Sequence, residues 1–189
     1  PSMVAQGHAR AHPFEMSCVR STQEARAYWR DVGTVDAYWQ ANLDLTDPLP
    51  ELDMYDAEWP IWTYQEQLPP AKFVHDEDGR RGHAVDSLVS GGCIISGARV
   101  GRSVLFSSVH LHSYASVEES VLLPQVEVGE RCELRRVVID KGCHIPPGTR
   151  IGFDGSADAR RFHRTDQGVV LVTREMLQDL EAQPASGPE

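Results

Sequence analysis

The sequence is poor in the features that usually declare a chemistry. No apolar run approaches the ~20 residues that span a bilayer, and Gln6, His8, Arg10 and Glu15 stand where a secretory segment would need an apolar core. The expectation is a cytoplasmic chain with no membrane partner. Positive charge is also scarce: 18 Lys and Arg face 28 Asp and Glu, for a formal net charge of −10. Nucleic-acid affinity comes mainly from clustered cations on phosphates, so no nucleic-acid partner is expected.

Several motifs are missing as well. The four cysteines, Cys18, Cys93, Cys132 and Cys143, form no C-x-x-C pair, which argues against a redox dithiol or zinc ribbon and for reduced structural thiols. There is no G-x-x-x-x-G-K-[ST] or G-x-G-x-x-G loop to cradle phosphate, no H-E-x-x-H and no G-x-S-x-G. The chain opens on Pro1 without an initiator methionine, as a fragment or processed chain would.

What is present begins with a weakly helical stretch over residues 1–12, expected to end at Pro13 because the ring disfavours helical geometry in its predecessor. Thr34 is placed to cap a helix over Val35–Leu45, with Val35, Tyr38, Trp39 and Leu43 on one face. Pro48, Pro50, Pro60, Pro69 and Pro70 then preclude long helices, and Trp59, Trp62 and Tyr64 predict a packed connector over 47–70. A strand is expected at Lys72–His75, before a turn over residues 76–79.

The strongest signal is a repeat. Aliphatic residues recur at Ile94, Val100, Leu105, Leu111, Val117, Leu122, Val128, Leu134, Ile139, Ile145 and Ile151, and three successive steps sum to 17 residues. Neither the helical period nor simple alternation gives this spacing, whereas a chain turning three corners per coil does. Three stacks are expected: Ile94, Leu111, Val128 and Ile145; Val100, Val117, Leu134 and Ile151; and Leu105, Leu122 and Ile139. Two residues before many of them lie Ala98, Ser103, Ala115, Ser120, Cys132, Cys143 and Thr149, small enough for tight corners. Thr173 is expected to cap a last short helix with Met176, Leu177 and Leu180 on one face, followed by a disordered tail over 181–189.

The segment Tyr28-Trp29-Arg30-Asp31-Val32-Gly33-Thr34 resembles the W-x-D-x-G-T motif of sugar-phosphate nucleotidyltransferases. The stretches Leu52–Asp56, Leu68–Val74, Ser87–Ser90, Ser103–Ser107 and Gly168–Leu177 extend the resemblance, over roughly residues 8–180, to bacterial ADP-glucose pyrophosphorylases.

This resemblance implies a mixed α/β remnant of a nucleotidyltransferase domain (1–46), the connector, and a left-handed parallel β-helix of hexapeptide-like repeats over 71–180. It implies the carboxy-terminal half of an enzyme that makes ADP-glucose and pyrophosphate from ATP and α-glucose 1-phosphate, for glycogen synthesis. The glycine-rich ATP loop of that family lies in an amino-terminal half.

By the same resemblance Asp31 helps hold a catalytic Mg2+, and Trp29 lies near the sugar-phosphate and regulatory region. Lys141 would contact an AMP inhibitor and Arg174 a sugar-bisphosphate activator, within a homotetramer. Arg135, Arg136, Arg160, Arg161 and Arg164 are further cations suited to phosphate. Gln125, Lys141 and Gln178 depart from the residues of enteric members, which leaves effector identity open.

Two other readings remain. A hexapeptide-repeat acyltransferase would use a histidine as general base, and His110, His112 and His144 lie within the coils. A non-catalytic regulatory or scaffold subunit would use the repeats only for assembly.

Overall fold

The computed structural model describes residues 2–18, 27–58, 60–61, 64, 66–77 and 79–182. Its centre is a parallel β-solenoid of about four coils with three strand faces per coil. The first face stacks Lys72–Val74, Ile94–Ser96, His110–Leu111, Glu127–Val128 and His144–Ile145. The second stacks His83–Val85, Arg99–Gly101, Ser116–Glu118, Glu133–Arg135 and Arg150–Ile151. The third stacks Leu88–Val89, Val104–Leu105, Val121–Leu122, Val137–Ile139 and Val170–Val172, with His163–Arg164 added antiparallel at its end.

The aliphatic period translates directly into these ladders. Val100, Val117, Leu134 and Ile151 pair in register and are buried, as are Leu105, Leu122 and Ile139. The first stack needs one correction. Ile95, not Ile94, pairs with Leu111 and is fully buried, whereas Ile94 faces outward opposite His110. The corner from Ile95 to Val100 is one residue shorter than those from Leu111 to Val117 and from Val128 to Leu134. The missing residue lies between Ile95 and Gly97, because Gly97 keeps the same left-handed corner as Tyr114 one coil on, and the first coil repeats after 16 residues at that face.

Corners are where local chemistry is strained. Three columns of left-handed residues run along the solenoid: Asp86, Arg102, Glu119 and Arg136; Gly92, Ser108, Gln125 and Gly142; Gly97, Tyr114, Arg131 and Gly148. A left-handed L-residue costs roughly 1–2 kcal/mol. The compensation is visible in the backbone, because these corner amides reach back one coil: Glu119 to Gly101 at 3.1 Å, Gln125 to Ser107 at 2.9 Å and Arg131 to Ser113 at 3.1 Å.

The small residues two positions before the stacks are indeed buried at Ala98, Ser103, Ala115, Ser120, Cys132 and Cys143, while Thr149 is only partly so. The serines do more than fit. Ser87, Ser103 and Ser120 form a ladder in which the hydroxyl of Ser87 accepts the Ser103 amide at 3.1 Å. The Ser103 hydroxyl accepts the Ser120 amide at 3.1 Å, and each hydroxyl donates to a nearby carbonyl. A buried hydroxyl without such partners would be destabilising.

Helix α1 (Ser2–Ala5) is shorter than expected. It ends at Gly7, φ 71°, where the amides of Gly7 and His8 bond Val4 and Met3 in a Schellman closure before Pro13 is reached. Helix α2 (Val35–Asp44) starts as expected, with the Thr34 hydroxyl accepting the Ala37 amide at 3.2 Å. Its buried Trp39 and Leu43 pack on Val121, Val138 and Val169. The Trp39 indole donates to the Glu119 carbonyl at 2.7 Å, and Arg136 stacks on its ring.

The third face explains this docking. Val104, Val121, Val138 and Leu171 point outward from it in paired register, so an apolar column there requires a cover. Helix α3 (Gly155–Arg161) is capped by Asp154, which accepts the Ser156 and Ala157 amides at 3.0 Å. Helix α4 (Arg174–Ala182) carries the Thr173 cap and buries Leu177. It runs two residues into the stretch expected to be a tail; residues 183–189, and the side chain of Leu180, lie outside the described residues.

Two connector expectations change. Tyr64 is 86% exposed. The proline-rich backbone there forms no helix or strand, among the described residues, to carry the ring inward, and the phenol tolerates water. Trp59 and Trp62 lie outside the described residues. The strand Lys72–Val74 ends at His75, φ 72°, and Asp76–Glu77, expected within a turn, instead pair antiparallel with Arg80–Arg81 as a short hairpin. No helix among the described residues is long and apolar enough to cross a membrane.

Candidate functional site

The residues singled out by sequence fall in three places. Asp31 and Trp29 lie in the irregular segment before α2, and both are exposed. Asp31 Oδ1 accepts the Gly33 amide at 2.9 Å, an Asx turn that delivers the chain to the Thr34 cap. Beside it Arg30 is ion-paired with Asp44 of α2. A cleft lined by Tyr28, Arg30, Asp44, Leu45 and Glu51 opens here.

The second place is a corner of the solenoid, where Lys141 and Arg174 come together although 33 residues apart. Arg174 Nη2 donates to the carbonyls of Lys141 at 3.4 Å and Gly142 at 3.2 Å. Gly142 is left-handed at φ 61°, and a Cβ there would meet the Arg174 guanidinium, which would have to shift. Both cations are exposed and stand at one end of α4.

Other arginines are committed elsewhere. Arg102, Arg135 and Arg136 all approach Glu119, at 3.3, 3.9 and 3.9 Å, and Arg161 stacks on Phe162. Arg135 and Arg136 thus gather around a carboxylate that offsets their charge, whereas Lys141 and Arg174 meet through backbone carbonyls.

Beside this corner Cys143 is buried, and burial, reinforced by the Asp140 charge and opposed by Arg174, pushes its thiol up to about 11. Burial also raises the Cys93 and Cys132 thiols, whose sulfurs donate to the Phe106 and Pro146 carbonyls. Since the thiolate is the reacting form, a shift from 9.0 to about 11 lowers the Cys143 thiolate fraction at pH 8 roughly a hundredfold. Iodoacetamide at pH 8 is expected to leave Cys93, Cys132 and Cys143 largely unlabelled in the native chain and to label all three in urea, as peptide mass mapping would read. Rapid native labelling would contradict the inward placement. The folded state holds the Cys143 proton more tightly than the unfolded chain, so this thiol's contribution to stability is complete below pH 9 and declines as pH rises toward 11.

The third place gathers all three histidines named for an acyltransferase. His110 and His144 flank Glu127 on the first face, one coil to either side. His112 Nε2 lies 2.7 Å from Glu127 Oε1, His144 Nδ1 lies 3.3 Å from Oε2, and the His110 and His112 rings stack at 4.2 Å. The hydrogen bond with His112 chiefly holds the Glu127 carboxyl below its usual range, and partial burial lowers His110. Sequence reasoning missed Glu127, although it precedes Val128 just as His110 precedes Leu111 and His144 precedes Ile145.

Comparison with known proteins places these elements in context. Residues 69–172 match the family described as GlmU-like, C-terminal hexapeptide. Over 98% of its length the chain is 65% identical to a protein of Albidiferax ferrireducens named glucose-1-phosphate adenylyltransferase, spanning 44% of that relative. It is 58% identical over 96% of its length to a Rhodopseudomonas palustris protein and 59% over 94% to one of Paraburkholderia phymatum, both of the same name. The chain spans less than half the length of these relatives, on their C-terminal part. With its solenoid falling within the matched residues, the chain belongs to the GlmU-like, C-terminal hexapeptide family, as a left-handed parallel β-helix alongside relatives named glucose-1-phosphate adenylyltransferase.

Proposed function

We propose that this chain supplies the carboxy-terminal part of a glucose-1-phosphate adenylyltransferase, a longer cytoplasmic protein that joins ATP and α-D-glucose 1-phosphate into ADP-glucose and pyrophosphate for glycogen synthesis. The observation that carries the reading is the 65% identity over 98% of the chain to a relative of that name. Within it, residues 1–46 close a nucleotidyltransferase domain, 47–70 connect, and 71–180 form the oligomerisation and regulatory β-helix of a homotetramer.

Nucleotidyl transfer is mostly positioning and charge neutralisation. Mg2+ takes one or two carboxylates and fills its remaining positions with waters and substrate phosphates. Asp31 fits as one such ligand: it is exposed, and the Asx turn engages Oδ1 while fixing the carboxylate against the capped helix. Bound there, Mg2+ would offset charge developing on the phosphates. Trp29, exposed two residues before Asp31, has an open ring face for the sugar-phosphate side of the site. Lys141 and Arg174 form a paired cationic corner for phosphorylated effectors, AMP and a sugar bisphosphate, with the Arg fork suited to phosphate geometry.

The complete natural polypeptide, incubated with ATP, glucose 1-phosphate and Mg2+, should yield ADP-glucose and pyrophosphate in equal amounts by chromatography. Absence of product would favour a non-catalytic regulatory or scaffold subunit built on the same β-helix.

A further inference from the structure

The histidines of the first face have no part in the proposed nucleotidyl transfer. Their arrangement is nevertheless specific. The strands that carry them are held by ladder hydrogen bonds of 2.9 Å from His110 to Val126, from His112 to Val128 and from Glu127 to Cys143. His110 and Glu127 therefore project from strands of the sheet, and His112 stands one residue beyond its strand with its amide tied to the next coil, which limits the motion of the ligand set.

One ligand atom each from His110, His112 and Glu127 lies within 4.8 Å of the others. Ligands around a tetrahedral zinc ion, at about 2.0–2.2 Å from it, stand somewhat over 3 Å apart. Small rotations of these partly exposed side chains separate His112 from Glu127 and draw His110 in. The set also has the right chemistry: two imidazoles and one carboxylate suit a borderline divalent ion better than Mg2+ or Ca2+, which prefer oxygen. Beyond these three residues, His144 holds the second carboxylate oxygen and orients it, as outer partners of metal ligands do.

We propose that His110, His112 and Glu127 form a binding site for a borderline divalent transition metal such as Zn2+, with a fourth position open to water. The ion ties two successive coils of the β-helix together across the outer surface of the first face. It takes the place of the direct contact between His112 Nε2 and Glu127 Oε1.

Titration of the 189-residue chain with Zn2+ in a non-chelating buffer at neutral pH should give one equivalent bound by calorimetry, with a rise in melting temperature. His112→Ala and Glu127→Gln should each weaken binding at least about tenfold, in keeping with loss of a ligand or its partner. His163→Ala, on the antiparallel strand elsewhere, should leave it unchanged. Imidazole resonances in the unmodified chain give a readout independent of any variant: His110 and His112 should respond to one equivalent of Zn2+. No heat of binding at millimolar Zn2+, unchanged affinity in both variants, or a response confined to other histidines would overturn the proposal. These outcomes are independent of whether the complete protein makes ADP-glucose.

Discussion

Replacing Leu122 with aspartate is expected to abolish the cooperative thermal transition of the chain. Leu122 is fully buried and sits between Leu105 and Ile139 in the third internal stack. Losing a buried leucine costs about 2–5 kcal/mol. Burying a carboxylate without a partner adds several more, or forces it to take up a proton. The sum rivals the roughly 5–15 kcal/mol that stabilises a typical domain. A solenoid coil contacts only its neighbours, so the damage spreads along the axis when the middle coil fails. Leu122→Ala, the milder change, should keep the transition but lower its midpoint. Circular dichroism melts decide the matter: an aspartate variant melting with its parent would remove the proposed inward register.

In the complete polypeptide, Asp31→Asn should reduce turnover at least about a hundredfold, equivalent to ~2.7 kcal/mol of transition-state stabilisation. The substitution is chosen because asparagine keeps an oxygen able to accept the Gly33 amide, so the turn and the Thr34 cap survive. What disappears is the charge that would help hold Mg2+. The variant should therefore melt like its parent while needing more Mg2+ for half-maximal rate. Unchanged turnover and unchanged Mg2+ dependence would reduce Asp31 to its local role in the turn.

Much of the solenoid is legible in the sequence because its information is one-dimensional. A period of 17 residues names the inward positions without any knowledge of distant contacts. The register departs at Ile94, where that logic is weakest: two adjacent isoleucines leave the pattern ambiguous, and the shortened corner before Gly97 moves the register by one. Trp39 shows a different limit. Its helix is visible locally, but its partner Glu119 is 80 residues away, and only the valine column of the third face hints that something must cover it. The left-handed corners are also hidden, because Arg102, Glu119, Gln125 and Arg131 are residues that do not advertise positive φ.

The candidate sites follow the same division. Asp31 and Trp29 stand out through a motif, and the nearness of Lys141 to Arg174 depends on α4 returning to the corner that carries Gly142. The histidines stand out as residue types, whereas Glu127 becomes visible only when side chains facing outward are aligned coil by coil.

The 16-residue first coil also bears on how such a chain changes length. Each inward side chain touches the one a coil away, so an insertion or deletion inside a strand would turn every later stack inside out. Between Ile95 and Gly97 a single residue is missing from a corner, yet Val100 and Val117 still meet in register beyond it. The molecule is thus quantised along its axis: it can grow or shrink by whole coils, or by single residues at its bends, and variation between related chains should be confined to those two kinds of event.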